Sequence, residues 1–123
     1  MAATGSGIMG TTRIFPDVDP RRAELEAQLL SLLGQPTRLK LLYMLRDGER
    51  CACELDPEMP KDQSVISRHL IKMREAGILG WRKEGVSTYY WVEEPRVFDL
   101  LELTDDIVRS STKKKAQEAL SVL

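Results

Sequence analysis

The chain has 123 residues, 42% of them hydrophobic and 30% charged, with a formal net charge of −1. That length bounds it to one domain, or one domain with tails, large enough for a modest core and small enough that dimerisation would help bury more. No run of about 18 apolar residues occurs, which excludes a transmembrane helix, and an isoelectric point near 5.9 argues against a surface that grips nucleic acid everywhere.

Residues 1–18 read as a flexible N-terminal tail. Its first twelve positions are rich in Gly, Ala, Thr and Ser and lack the apolar stretch of a secretory signal. Met9 is a candidate start if the preceding residues are an added leader. Without a signal, the expected compartment is the cytoplasm.

A folded domain is expected over 19–123. Asp19-Pro20 is a helix start, with Asp as N-cap and Pro in the first turn. Leu25, Leu29, Leu32 and Leu33 follow at helical spacing as far as Gly34. Pro36-Thr37 opens a second helix whose apolar positions are Leu39, Leu42, Tyr43 and Leu45, with Gly48 beyond its end. A short third helix is predicted over 52–58, broken by Pro57 and Pro60. Asp62 is placed to cap a fourth, which runs to Glu75 or Ala76. Residues 78–83 and 86–92 read as strands around a tight turn at Glu84-Gly85. Pro95 opens a last helix with Val97, Leu101, Ile107, Val108, Ala116 and Leu120 available for burial. The Lys113-Lys114-Lys115 run reads as a solvated helix face. The fold class is mainly α with a small β-hairpin: a winged helix-turn-helix. Helices at both ends are material for a homodimer, with Leu29 and Leu101 as the expected contact positions.

The fourth helix carries the strongest signal. Ile66, Leu70 and Met73 form a packing stripe at helical spacing. Short polar and long basic groups occupy the rest: Gln63, Ser64, Ser67, Arg68, His69 and Lys72. Short hydroxyls and long cations opposite a packing stripe suit a helix laid in the major groove of double-stranded DNA. Gln63 has the chemistry to read adenine with two hydrogen bonds, or serves the helix start. Arg82 and Lys83 on the hairpin are candidates for phosphate or minor-groove contact. From Lys61 to Glu84 the chain carries six basic and three acidic residues, so this segment is positive while the remainder is acidic. Such a distribution orients an encounter with DNA. Trp81, Tyr89, Tyr90 and Trp91 could form a stacking platform of the single-strand-binding kind, but strand alternation favours packing within the hairpin.

These segments resemble a known family. Leu33-Gly34-Gln35-Pro36-Thr37-Arg38-Leu39-Lys40-Leu41-Leu42 is similar to the opening of ArsR-type (ArsR/SmtB) repressors. Ser67-Arg68-His69-Leu70 and Glu75-Ala76-Gly77-Ile78-Leu79 match the family's helix signature, and Arg82-Lys83-Glu84-Gly85 with Tyr89-Tyr90 match its wing. Cys51-Ala52-Cys53-Glu54-Leu55 resembles its thiol sensing motif. The resemblance spans roughly residues 20–110 and implies a homodimeric repressor that leaves its operator when an inducer binds. One departure stands out: where the arsenite-sensing pattern places a third cysteine, this chain has Asp56. The family's alternative site of His and carboxylates on the last helix is absent, since the segment from Pro95 has no histidine.

Cys51 and Cys53 are the only cysteines. Residues i and i+2 lie about 200° apart on a regular helix, so joint ligation needs one or both at a helix start or in an unwound turn. Cys51, after Glu49-Arg50, is at such a boundary, where a helix N-terminus and a nearby cation favour the thiolate. Soft thiolates suit As(III), Sb(III), Cd(II), Cu(I) or Zn(II). The motif's resemblance implies a trivalent metalloid, As(III) or Sb(III), with water, hydroxide or a carboxylate of Glu54 or Asp56 completing the shell. Reversible oxidation of the pair is the alternative, and two thiols packed as small hydrophobes the plainest reading. Structural zinc normally takes four N/S ligands, which the chain does not offer.

Other classes fare worse. No catalytic residue and no catalytic cofactor is expected: a thiol oxidoreductase would call for Cys-x-x-Cys in a βαβ context or a phosphate-cradling loop, and His69 has no nucleophile motif beside it. A winged-helix module that binds only protein would lack the excess of cations on the fourth helix and the hairpin.

Overall fold

The computed structural model describes residues 19–55 and 62–121. The predicted tail over 1–18, the end of the short third helix with Asp56, Pro57 and Pro60, and Lys61 lie outside the described residues. The chain divides into two units, one ending at Pro36 and the other beginning at Thr37.

The first unit contributes α1, Pro20–Leu33. Asp19 Oδ1 accepts the Arg21 N–H at 3.1 Å, satisfying one of the orphan donors of the first turn. At the other end the Gly34 N–H returns to the Leu30 carbonyl at 2.9 Å. Leu25, Leu29 and Leu30 are exposed.

The second unit follows the order α2 (Pro36–Met44, whose first residue closes the first unit), β1 (Arg50–Cys51), α3 (Ala52–Leu55), α4 (Gln63–Glu75), β2 (Leu79–Glu84), β3 (Ser87–Val92) and α5 (Arg96–Ser121). Its core holds Leu41, Leu42, Leu45, Leu55, Ile66, Leu70 and Met73, all nearly inaccessible to solvent. Burying each such side chain contributes about 1.5–3 kcal/mol through the apolar surface removed from water. The α4 stripe of Ile66, Leu70 and Met73 is buried as its spacing predicts. On α2 the outcome differs: Leu41 is fully buried, whereas Tyr43 remains exposed.

α4 ends in a Schellman arrangement. The Gly77 N–H bonds to the Arg74 carbonyl and the Ile78 N–H to the Met73 carbonyl, both at 3.0 Å. Gly77, just past the helix end, has φ +82°, a left-handed conformation that is costly for any residue carrying a side chain. The reversal delivers buried Ile78 and Leu79 straight into the sheet.

The sheet has three antiparallel strands in the order β1-β3-β2. The turn residues are Gly85 and Val86, with Glu84 paired to Ser87, one position later than the predicted Glu84-Gly85 turn. Gly85 takes φ +63° at the first central position of this two-residue loop. β1 is an element the sequence reading did not anticipate: Arg50 pairs with Tyr90 and Cys51 with Tyr89.

α5 buries Val97 and Leu101 near its start. Ile107, Val108 and Leu120, expected to be available for burial, are exposed, as is Leu103. Leu101 is only 5% exposed within the single chain, so it belongs to the protomer core and is not available as a dimer contact; Leu29, 41% exposed, remains available. Among the described residues no helix is long and apolar enough to cross a membrane.

Candidate functional site

At about 100° per residue, α4 presents three distinct polar surfaces around its buried stripe. Ser64, Arg68 and Lys72 lie together on the exposed outer face. Gln63, Ser67, Ile71 and Arg74 form a second face that lines a cavity of about 520 Å³ between α4 and the hairpin. His69 lies on the far flank. Its Nδ1 accepts a hydrogen bond from Nε of the buried Arg38 at 3.0 Å. The six α4 residues picked out for DNA contact therefore divide into three groups.

On the hairpin, Arg82 is occupied. Its Nε and Nη2 donate to the two carboxylate oxygens of Glu49 at 2.9 and 3.1 Å, and its Nη1 donates to Glu84 at 2.8 Å. The guanidinium also lies over the Tyr89 ring, 4.3 Å from the centroid. The hydrogen bond donated by Arg82 holds the Glu49 carboxyl below its ordinary range, and the bonds Arg82 donates to Glu49 and Glu84 raise its guanidinium further. The planar fork matches a carboxylate in a way a lysine could not. Arg82 thus fastens the hairpin to the turn before β1. Lys83 is exposed and lines the cavity.

Arg74 was missed among the candidate residues. Its guanidinium lies 4.2 Å from the centroid of the Trp81 ring, and both residues line the cavity. The signal was present in the sequence, because 63, 67 and 74 share one helical face. Trp81 itself is 45% exposed, whereas Tyr90 is buried in the sheet.

The thiol pair sits where β1 becomes α3. Cys51 closes the strand and Cys53 lies in the first turn of the helix, so the two side chains are not held on opposite sides of a regular turn. The structure joins them in a disulfide, with Cα atoms 5.1 Å apart. The Cys53 N–H donates to Cys51 Sγ at 3.2 Å, and the Cys51 N–H donates to Glu54 Oε1 at 3.0 Å. Cys51 is 3% exposed, whereas Cys53 is open to solvent. Both line the same cavity as Gln63, Ser67 and Arg74. No group of three or more His, Cys, Asp or Glu that could hold a metal ion occurs among the described residues. When reduced, Cys51 and Cys53 supply two sulfur donors, fewer than the four N/S ligands of a closed structural zinc site.

Comparison with known proteins decides the class. Residues 35–79 match the family described as "Bacterial regulatory protein, arsR family". The chain is 36% identical over 85 residues to an uncharacterized HTH-type transcriptional regulator of Methanocaldococcus jannaschii, covering 68% of this chain and 96% of that protein. The chain belongs to the arsR family. It is 39% identical over 79 residues to an arsenic resistance transcriptional regulator of Pseudomonas putida, covering 63% of this chain and 62% of that regulator. Among solved structures it is similar to reduced HlyU from Vibrio cholerae, at 29% identity and a TM-score of 0.61, over 71% of this chain and 92% of that one. This arsR-family chain is a winged-helix transcription regulator, as are the relatives it is similar to.

Proposed function

We propose that the protein is a homodimeric repressor that, with Cys51 and Cys53 kept reduced by a cellular thiol reductant, binds an operator in double-stranded DNA and leaves it when a trivalent metalloid, As(III) or Sb(III), or another soft metal bridges the two thiolates. The carrying observation is the meeting of the two sulfurs at the β1–α3 junction, beside α4 and on a strand paired to the hairpin. The likeness to an arsenic resistance regulator supports the choice of ligand. Ser64, Arg68 and Lys72 supply the outer DNA-facing surface, Gln63 and Ser67 its edge, and Lys83 a phosphate contact. Arg82 contributes by holding the hairpin in place, and His69 by bracing α4 against Arg38. A ligand bridging the sulfurs reshapes the junction, and the β1–β3 pairing and the Glu49–Arg82 link carry that change to the hairpin. The bound form must favour the off-DNA conformation, because a ligand shifts an equilibrium only by its differential affinity. DNA then weakens inducer binding by the same factor, on the order of 5–150-fold. The exposed apolar side chains of α5 supply a dimer surface. An inverted repeat with half-sites ~34 Å apart, or a multiple, follows from two-fold symmetry. The place of work is the cytoplasm, where the operator is.

The test is operator DNA titrated with As(III), Sb(III), Cd(II) and peroxide in parallel. Cys51→Ser and Cys53→Ser should each bind operator normally and fail to release on metalloid; release by both variants would overturn the assignment. X-ray absorption on the arsenic-loaded protein should show two sulfurs plus a lighter atom.

A second reading has its own observation. The two sulfurs are joined in the structure, which supports reversible oxidation as the signal, and one similar structure is of a protein in its reduced form. Release on peroxide, reversed by a thiol reductant, with no response to any soft metal, would select it.

A further inference from the structure

The two cysteines differ in access, and the space in front of them is charged. Cys53 is exposed and Cys51 is buried. The cavity they line also holds Arg74, stacked on Trp81, and Lys83. Among the described residues no carboxylate lines it, and Glu54, the carboxylate beside the pair, accepts the Cys51 N–H through Oε1. Its volume, about 520 Å³, is that of a small-molecule site. The Glu49 and Glu84 carboxylates are engaged by Arg82.

We propose that this cavity is a thiol-exchange site for a small disulfide bearing carboxylates, with Cys53 the attacking sulfur and Cys51 the resolving one. This rests on the oxidation reading of the pair. The Cys53 thiolate attacks one sulfur of the disulfide RSSR. A Cys53–S–S–R bond forms, the RS–SR bond breaks, and RS⁻ leaves to take up a proton from solvent. The Cys51 thiol then loses its proton and attacks the Cys53 sulfur. The Cys51–Cys53 bond forms and a second RS⁻ leaves. Two electrons pass from the protein dithiol to the small disulfide, which ends as two thiols. Arg74 and Lys83 draw the carboxylates in and hold the mixed disulfide against the Trp81 wall. The Cys53 N–H directed at Cys51 Sγ keeps the two sulfurs adjacent for the second step. The mixed disulfide would place bulk and negative charge beside Gln63 and Ser67, where a DNA phosphate is repelled.

The experiment uses the reduced full-length chain, free of DNA, with two probes: oxidised glutathione, which carries carboxylates, and cystamine, which carries only amines. Adducts are followed by intact-mass spectrometry. In Cys51→Ser, which cannot resolve, one adduct should accumulate on Cys53, and at low salt the anionic probe should react about 10-fold faster than the cationic one. Lys83→Glu, a change at an exposed strand position, should shrink that preference or reverse it. In the unmodified chain the adduct should give way to the internal disulfide. Equal rates for the two probes, or a preference unchanged by Lys83→Glu, would overturn the proposal. So would an adduct on Cys51 in Cys53→Ser as fast as that on Cys53. Arsenite-driven release of operator is a separate readout: its failure would overturn the metalloid reading and leave the probe selectivity standing.

Discussion

The two longest helices of the second unit use their apolar residues in opposite ways. α4 has 13 residues and buries Ile66, Leu70 and Met73 almost completely. α5 has 26 residues and buries only Val97 and Leu101, both near its start, leaving Leu103, Ile107, Val108 and Leu120 exposed. The apolar face of α4 is complete within one chain, and Ser64, Arg68 and Lys72 stand exposed on its outer face. That of α5 is complete only if something covers it. A single large apolar residue on a surface needs no explanation, but a repeated series along one helix does. The second copy of the chain proposed above would cover it.

The sharpest way to break this contrast is a substitution on each helix. Leu70→Ala removes a 1% exposed side chain from the core and leaves a gap there. It should cost about 2–5 kcal/mol in denaturant unfolding, independent of protein concentration. Ile107→Asp, at a position 60% exposed in the single chain, should leave the protomer folded and weaken dimer association by ~2 kcal/mol or more. Sedimentation across a concentration series reads this directly. If Ile107→Asp sediments like the unchanged chain, α5 is not the dimer surface and the contrast loses its meaning.

A third substitution tests the outer face of α4. Arg68→Ala should weaken operator binding by ~1–3 kcal/mol with loss of sequence preference, and leave thermal stability unchanged, because Arg68 lies on the outer face, away from the buried stripe. Arg82→Ala should behave differently. Its guanidinium is engaged by Glu49 and Glu84, so its loss should act through the hairpin's position and weaken all duplexes alike. Similar loss of sequence preference in both variants would contradict that division.

How far the sequence could be read depended on the length of the pattern. α1, α2, α4, α5 and the hairpin were legible because each repeats an apolar spacing or carries a turn residue. β1 was not: two residues have no period, and their strand character comes from pairing with Tyr89 and Tyr90, which lie far along the chain. The same kind of separation hid the Glu49–Arg82 link and the Arg38–His69 hydrogen bond, which set the roles of one wing candidate and one α4 candidate. Arg74 was overlooked for a different reason. Its helical face was legible, but only the hairpin opposite turns that face into a cavity wall. Leu101 has the periodicity of a dimer contact and of a core residue alike, and burial within the chain separates the two.

The helix starts extend the contrast to a smaller effect. α4 has Asp62 at its N-cap with no side-chain hydrogen bond to the first turn. α5, with little burial beyond Leu101, is fastened chemically: Glu94 accepts from the Arg96 N–H at 3.1 Å and from its guanidinium at 2.8 and 2.6 Å. The Arg96 side chain first, and then its backbone N–H, hold the Glu94 carboxyl down at about 2. A carboxyl whose folded value lies below its unfolded one stabilises the fold above the ordinary carboxylate range and loses that contribution as pH falls toward about 2. Stability measured across that window should therefore fall less steeply in Glu94→Gln than in the unchanged chain. The group is at the surface, so salt screens it and the difference should shrink as ionic strength rises. A gap between the two chains that stays constant over the window would show that Glu94 anchors α5 by shape alone, and that the start of α5 is no more dependent on charge than that of α4.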